Sequence, residues 1–319
     1  MRLQFQFLET VNGLDNSNLQ IIPRIRQQLG EATTAPGMVM ISLSAVALGA
    51  AFGGYLPLIS LWMETFNISF QKIGIVCGAS AVGVVSSAYY APKLAARYGY
   101  IATINVGLVV AAIMTVAFRF TDNYGLWLAL RFVSGLGLGL HWVLTEAWLA
   151  NIVTEKYRTR VMAIYATAIS IGFAVGPMVI WLFGALSIIP FIIMGALLIL
   201  AALPILRLKG HEPKDSQTRS ASPLILIKKA PTVASACIVV GSVDLALISL
   251  LPAMITRTPE AAPILALIIV PAMAIGATIL QYPIAIIADK HGLRKVGVIT
   301  VCAGLIFASL IPFFLGSVL

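Results

Sequence analysis

Four ionisable residues stand where hydrocarbon would be expected to exclude them. Three fall in "LALRFVSGLGLGLHWVLTEAWLANIV", residues 128–153: Arg131, His141 and Glu146. The fourth, Asp244, sits in "VVGSVDLALISL" with no oppositely charged neighbour on its own helix. A charge at the middle of a bilayer costs about 2.5–3.5 kcal/mol on insertion scales, so such residues sit there where they face a partner or a wet cavity. Arg131 and Glu146 are 15 positions apart, roughly 22 Å along a helix, too far for an ion pair. Their angular separation is about 60°, so both can face one cavity. The types allow proton uptake and release (Asp244, with or without Glu146), contact with an anionic group or a gating role (Arg131), and a relay or a packing role (His141). Asp244 is expected to be the better acidic partner for His141. Glu146, nearer the span's end, is placed to reach Lys156 or Arg158. Trp142 and Trp148 offer stacking surfaces, although packing is the commoner use of tryptophan. Gly135 and Gly139 form a small-xxx-small face that admits another helix closely.

The elements that must position these groups follow from composition. Of 319 residues, 60% are hydrophobic and only 10% charged, with a mean hydropathy of +0.97. A soluble domain runs nearer a quarter charged, so the solvent for most of this chain is lipid, which excludes a water-soluble fold. The formal charge of +9 reports membrane topology before nucleic acid, and no nucleic-acid partner is expected. Cys77, Cys237 and Cys302 all lie in apolar runs with no C-x-x-C pair, and read as small buried side chains.

Nine apolar runs are long enough to span, at about 38–62, 73–92, 101–119, 125–151, 161–183, 187–206, 232–255, 262–287 and 296–316. With the amino terminus in the cytoplasm and strict alternation, 17 of the 21 Lys and Arg fall inside and three (Lys72, Arg119, Arg257) outside. Arg131 is in the membrane. That asymmetry supports both the span count and the orientation. Residues 1–36 read as a polar cytoplasmic leader without a short h-region and cleavage site. The division expected is a first six-helix bundle at 37–206, a basic cytoplasmic linker at 207–231 and a partial second bundle of three helices at 232–319. An internal echo supports two halves: "YYAPKLAARYG" (89–99) and "YPIAIIADKHG" (282–292) align with an offset of 193 residues. The same offset sets the third span on the ninth and the first on the seventh.

Several of these stretches resemble the major facilitator superfamily. "AIIADKHGLRK" (285–295) is similar to its loop signature G-x-x-x-D-[RK]-x-G-R-[RK] through Asp289, Lys290, Gly292, Arg294 and Lys295, with Ala285 for the leading glycine and the basic pair displaced by one. "RFVSGLGLG" (131–139) resembles the fourth-helix motif. "GFAVGP" (172–177), with Gly172, Gly176 and Pro177, resembles the fifth-helix G-x-x-x-G-P element associated with antiporters. "WVLTEAWL" before a basic loop is similar to a bacterial subgroup of small-solute transporters with poorly defined substrates. The first-half loop departs from the pattern, with Pro92 and Ala96 in place of Gly and Asp.

The resemblance implies an all-α membrane protein, a multi-pass bundle in the bacterial inner membrane. It further implies a transmembrane secondary transporter that moves a small-molecule substrate by alternating access with proton coupling, without cofactor or metal, and not an enzyme. In that family the first, fourth, seventh and tenth helices line the cavity, and the four ionisable residues fall only on the fourth and seventh. The resemblance places Asp289 near the start of the fifth helix, beside Arg158 and Arg160, as part of a gating loop. It also implies twelve spans where nine are read. The alternative is therefore a repurposed or half facilitator serving as scaffold or sensor, with a homo-oligomer or a complementing membrane chain as partner. No H-E-x-x-H, G-x-S-x-G or Walker sequence is present to suggest a membrane enzyme.

Overall fold

A computed structural model describes residues 36–153, 155–213, 231–256 and 263–318. Some side chains within its helices, among them Asp289, Lys290 and Arg294, lie outside the description, as do the leader and residues 214–230 of the expected linker. The described residues form nine long α-helices and no strand. They are α1 (Pro36–Glu64), α2 (Phe70–Tyr98), α3 (Tyr100–Ala117), α4 (Tyr124–Ile152), α5 (Glu155–Phe183), α6 (Ile189–Leu206), α7 (Pro231–Thr256), α8 (Pro263–His291) and α9 (Leu293–Val318), with one 3₁₀ turn at Phe118–Phe120. Helices are what hydrocarbon permits, because each satisfies its own backbone polar groups within one segment. Among the described residues, seven of them, α1 to α7, carry spans long and apolar enough to cross a bilayer.

The helices overrun several apolar runs. α2 continues through Lys93 and Arg97 to Tyr98, and α8 continues to His291. Periodic hydrophobicity marks where lipid ends, whereas a helix stops where its backbone is capped. Here the stops are glycines. Gly99 alone separates α2 from α3 at φ 84°, and Gly292 alone separates α8 from α9 at φ 89°. The internal echo extends to these boundaries: α8 begins 193 residues after α2 and ends 193 residues after it, and α9 begins 193 residues after α3. At Gly99, ψ is 158°, a conformation that glycine alone adopts cheaply. The Glu212 carboxylate also accepts a hydrogen bond from the Tyr100 backbone N–H at 3.1 Å, and a Cβ on Gly99 would stand 3.1 Å from that same oxygen. Gly99→Ala is therefore expected to cost about 1–3 kcal/mol, read as a lower thermal midpoint of the protein in detergent.

Within the first six helices, α1 packs on α5 and α6, α4 packs on α2 and α3, and α3 meets α6. Glycines set the closest seams. Cβ atoms at Gly135 and Gly139 would fall on the Ser80 carbonyl and on the Ser87 hydroxyl, so α2 is the helix that this small-residue face admits. On another face of α4, Gly137 and Gly107 of α3 meet carbonyl to Cα, a contact the sequence reading passed over. Gly172 and Gly176 of α5 lie against the backbone of α1 at Val46 and Ala50, opposite Gly49, Gly53 and Gly54. Without a hydrophobic drive between helices in lipid, such close backbone approach is the main source of packing energy. The outward faces carry large apolar side chains such as Val82, Ile113, Ile171, Trp181 and Ile199. The second half joins through α7 on α1 and α2, and through α8 on α5.

Candidate functional site

Asn123 starts the helix that carries most of the polar groups. Its side chain accepts from the Leu126 N–H at 3.1 Å, capping α4. From there α4 runs past Arg131, His141 and Glu146, and Ile152 at its end touches Gly37 at the start of α1. α1 and α4 are thus antiparallel neighbours, and each polar residue on α4 has a defined depth.

Arg131 lies at the half of the bundle where α1 ends. It is fully buried, with Cζ 5.0 Å from the centre of the Tyr55 ring. Among the described residues, none of its three guanidinium nitrogens makes a hydrogen bond, nor does the Tyr55 hydroxyl. Stacking on an aromatic face is a common resting place for a guanidinium. It leaves five N–H donors to be met by water or a ligand.

His141 is also fully buried. Its Nε2 lies 2.8 Å from the Ser44 hydroxyl of α1, and that hydroxyl is 2.7 Å from the Ala201 carbonyl of α6. A hydroxyl has one proton, and a carbonyl can only accept it. Ser44 therefore donates to Ala201 and accepts from His141, which fixes the Nε2–H tautomer. Nδ1 has no partner. The predicted pairing of His141 with Asp244 is not formed: the ring is spent on tying α4 to α1 and α6. Ser44→Ala leaves the buried His141 Nε2–H unpaired and is expected to cost about 1–3 kcal/mol, whereas Ser44→Ala with His141→Leu, which removes the donor as well, should recover much of the loss. Thermal melting of the single and double variants checks this.

Glu146 is half-buried and accepts a hydrogen bond from the Trp142 indole N–H at 2.7 Å, one turn back on its own helix. Lys156 and Arg158, the other partners considered for it, lie outside the described side chains. Trp142 stands edge-on to Phe52 of α1 (centroids 6.2 Å apart), and Phe52 stands edge-on to Phe173 of α5 (5.5 Å). Trp148, by contrast, is fully buried and packed on Tyr100 at 5.8 Å, so it presents no free face. Immediately before Glu146, Thr145 shares a hydrogen bond of 3.0 Å with Tyr165 of α5.

The two halves meet through an apolar layer in which Leu56 of α1, Ile248 of α7 and Val270 of α8 are buried, with Phe52, Phe173, Leu245 and Met273 packed around them. The layer continues toward the end of α7, where Leu250 lies against Gly74 of α2. Asp244 is four residues before Ile248, on nearly the same face of α7 and one turn toward its start. It is exposed, and among the described residues no hydrogen bond or ion pair reaches it. Glu146 likewise lies one turn from Trp142 toward the end of α4 that adjoins the start of α1. Both carboxylates thus stand on the same side of the apolar layer. Phe52 and Phe173, which help to form it, carry no chemical signature in the sequence; only their contacts single them out. In the loop between α8 and α9, Gly292 has the positive φ already given and Lys295 is exposed. The expected position of Asp289 beside Arg158 and Arg160 lies outside the described side chains.

Comparisons with known proteins agree with this architecture. The chain is 26% identical over 273 residues to YfkF, an uncharacterized MFS-type transporter of Bacillus subtilis (strain 168), covering 84% of this chain and 68% of that protein. Another uncharacterized MFS-type transporter, from Enterobacter sp. (strain 638), is 22% identical, covering 80% of this chain and 65% of its own length. A third, from Yersinia pestis (strain Pestoides F), is 24% identical over 68% of this chain and 55% of its own. The chain thus spans between about half and two thirds of the length of these relatives. Among solved structures, the fold is similar to a bacterial homologue of the human lysosomal transporter Spinster, in an inward-facing and occupied conformation, with a TM-score of 0.63 and 20% identity over 80% of this chain and 62% of that one. It is also similar to a D-xylose–proton symporter, with a TM-score of 0.54 and 18% identity over 79% of this chain and 69% of that one. The family model for the Major Facilitator Superfamily matches residues 41–319, so this chain, a multi-pass membrane protein, belongs to that superfamily.

Proposed function

We propose that the protein is a secondary transporter in which a small solute passes between the two halves by alternating access, coupled to protons through Asp244 and Glu146. The observation that carries this reading is the apolar layer of Leu56, Ile248 and Val270 joining the halves, with two carboxylates held just beyond it on one side. Such a layer closes a path toward the ends of α1 and α7. Opening it requires only that α7 and α8 rock against α1 and α5, because no hydrogen bond or ion pair crosses it among the described residues. Interfaces built of apolar packing have discrete alternative arrangements, which is what a rocking transition needs. In this reading α1 to α6 form one rocking body, residues 207–231 the linker, and α7 to α9 part of the other. The loop around Asp289, Lys290, Gly292, Arg294 and Lys295 gates the side on which α8 ends.

Coupling is assigned to Asp244 first, since its carboxylate is exposed and has no competing partner among the described residues, while one oxygen of Glu146 is held by Trp142. In proteoliposomes, an imposed pH gradient is expected to drive movement of at least one solute from a broad panel, and Asp244→Asn is expected to abolish the gradient-driven part while exchange of solute against solute continues. A pH gradient that moves no member of the panel overturns the reading. The substitution changes one proton-binding site without altering side-chain volume, so loss of fold is separable by gel filtration.

A further inference from the structure

Among the described side chains at the junction, the charged groups that a solute can reach are of one sign. Glu146 is half-buried and Asp244 exposed, while Arg131, the described cation deepest within a span, is fully buried and covered by the Tyr55 ring at 5.0 Å. Along α4, Arg131 is 15 residues from Glu146, roughly 22 Å. Among the described side chains, an anion entering beside α4 would meet two carboxylates and no accessible counter-charge. A cation would meet the reverse.

The aromatic side chains beside Glu146 sharpen this. Trp142, Phe52 and Phe173 are each only partly buried, and Phe52 is nearly perpendicular to both of the others, at 83° and 76°. Ring faces attract cations through their quadrupole, tryptophan most strongly. The indole N–H is already committed to Glu146 Oε1 at 2.7 Å, which fixes the two side chains as a unit. Among the described residues Oε2 has no hydrogen-bond partner. The result is a carboxylate oxygen and an indole ring, one turn apart and mutually oriented, flanked by two phenyl rings.

We propose that this junction selects an organic cation: a quaternary ammonium, pyridinium or phosphonium centre between Glu146 Oε2 and Trp142, with an apolar or aromatic body against Phe52 and Phe173. The proposal deepens the transporter reading and rests on it for the site's position, but it concerns binding and is tested without transport. It reverses the sequence-based expectation that Arg131 would receive an anionic group. Asp244, across the junction on α7, adds long-range attraction for the same sign of charge.

The test uses the full chain purified in detergent and three probes: tetraphenylphosphonium, benzyltrimethylammonium and the anion tetraphenylborate, which matches the first in shape and apolar area but carries the opposite charge. Equilibrium binding is read with radiolabelled probe and competition by unlabelled probe. Saturable binding of at least one cation, with none of tetraphenylborate, is the expected result. Glu146→Gln keeps an acceptor for the indole N–H but loses the charge, and should weaken cation binding about tenfold or more. Trp142→Leu should weaken it about fivefold or more. The preference of the parent protein for one sign of charge needs no variant, so the test survives if either substitution prevents folding.

Saturable binding of the anion, absence of saturable binding by both cations, or cation binding indifferent to both folded variants would each overturn the proposal. Cation binding with the expected variant losses but no flux in proteoliposomes sinks the transporter reading alone. Proton-driven flux of a neutral or anionic solute that neither variant affects sinks the cation site alone.

Discussion

Gly135→Leu is expected to leave almost no folded protein in the membrane fraction. The reason lies in the α2–α4 seam, where a Cβ on Gly135 would coincide with the Ser80 carbonyl and lie 2.8 Å from the Ser80 carbonyl carbon and Cα. These are backbone atoms in the middle of a helix and cannot turn aside as a side chain would. Relief requires α2 and α4 to separate along their whole contact, which also opens the neighbouring approaches of Gly83 to the Phe132 carbonyl and of Gly139 to Val84. The cost should exceed the roughly 1–3 kcal/mol of ordinary overpacking in a core, against a total stability of only about 5–15 kcal/mol. The matched control is Gly78→Leu on α2, where a Cβ would meet nothing within 4 Å. Fluorescence-detected gel filtration of both variants measures the outcome. Equal monodisperse peaks for the two would show that the helices do not approach as closely as described here.

Arg131→Met is the second substitution with a large effect, and it should act oppositely on stability and on transport. A guanidinium sealed among Tyr55 and its neighbours, with three nitrogens lacking protein partners, costs about 2.5–3.5 kcal/mol on insertion scales if it is charged and dry. The ring contact returns part of that, about 1–2 kcal/mol. Methionine fills a comparable volume and removes the penalty. The variant is therefore expected to melt no lower than the parent protein, while gradient-driven transport is lost. A residue retained only to snorkel or to tie helix ends together would behave differently: its removal would lower the melting temperature and leave transport unchanged. Arg131→Lys separates charge from shape, because a lysine keeps the cation but not the planar fork that lies over Tyr55.

The cation site and the Arg131 prediction fit one electrostatic picture. The polar groups on α4 are sorted by depth. A buried cation lies at the half where α1 ends, a neutral hydrogen-bonded link at His141, and an accessible carboxylate at Glu146. The sorting follows from which neighbour each turn of α4 presents. Tyr55 covers the first, Ser44 engages the second, and the junction between the halves leaves the third open. Gly135 and Gly139 make this possible by holding α4 against α2, so that its polar turns are fixed relative to α1.

The sequence by itself determined the helices, their order and their twofold echo. Its apolar runs locate every helix among the described residues to within a few positions of its ends, save α5, which starts six residues earlier, and α2, which ends six residues later. The 193-residue offset marks Gly99 and Gly292 as equivalent stops, and their positive φ values agree. These features are legible because they depend on composition and period: lipid requires apolar runs of a certain length, and a backbone turn that only glycine adopts requires glycine. The sequence also singled out Arg131, His141, Glu146 and Asp244, since a charge in an apolar run is conspicuous whatever surrounds it.

What each of those residues touches was decided by tertiary structure alone. His141 was paired on paper with Asp244, the acidic residue at matching depth, but Ser44 holds it instead. A serine in an apolar helix gives no signal, and a hydrogen bond is settled by which helix face arrives within 3 Å. Glu146 was matched with Lys156 or Arg158, which lie outside the described side chains; the contact that the structure adds is Trp142 on its own helix. Arg131 was read as a candidate anion contact or gate, and the structure sets it in the interior under the Tyr55 ring. Phe52 and Phe173 were invisible as site residues, because among fourteen phenylalanines only contact across the α1–α5 seam marks these two. Period and composition fix what each helix must be. The facing of helices against one another depends on glycine seams and side-chain shape summed over many contacts, and no single stretch of the chain contains that sum.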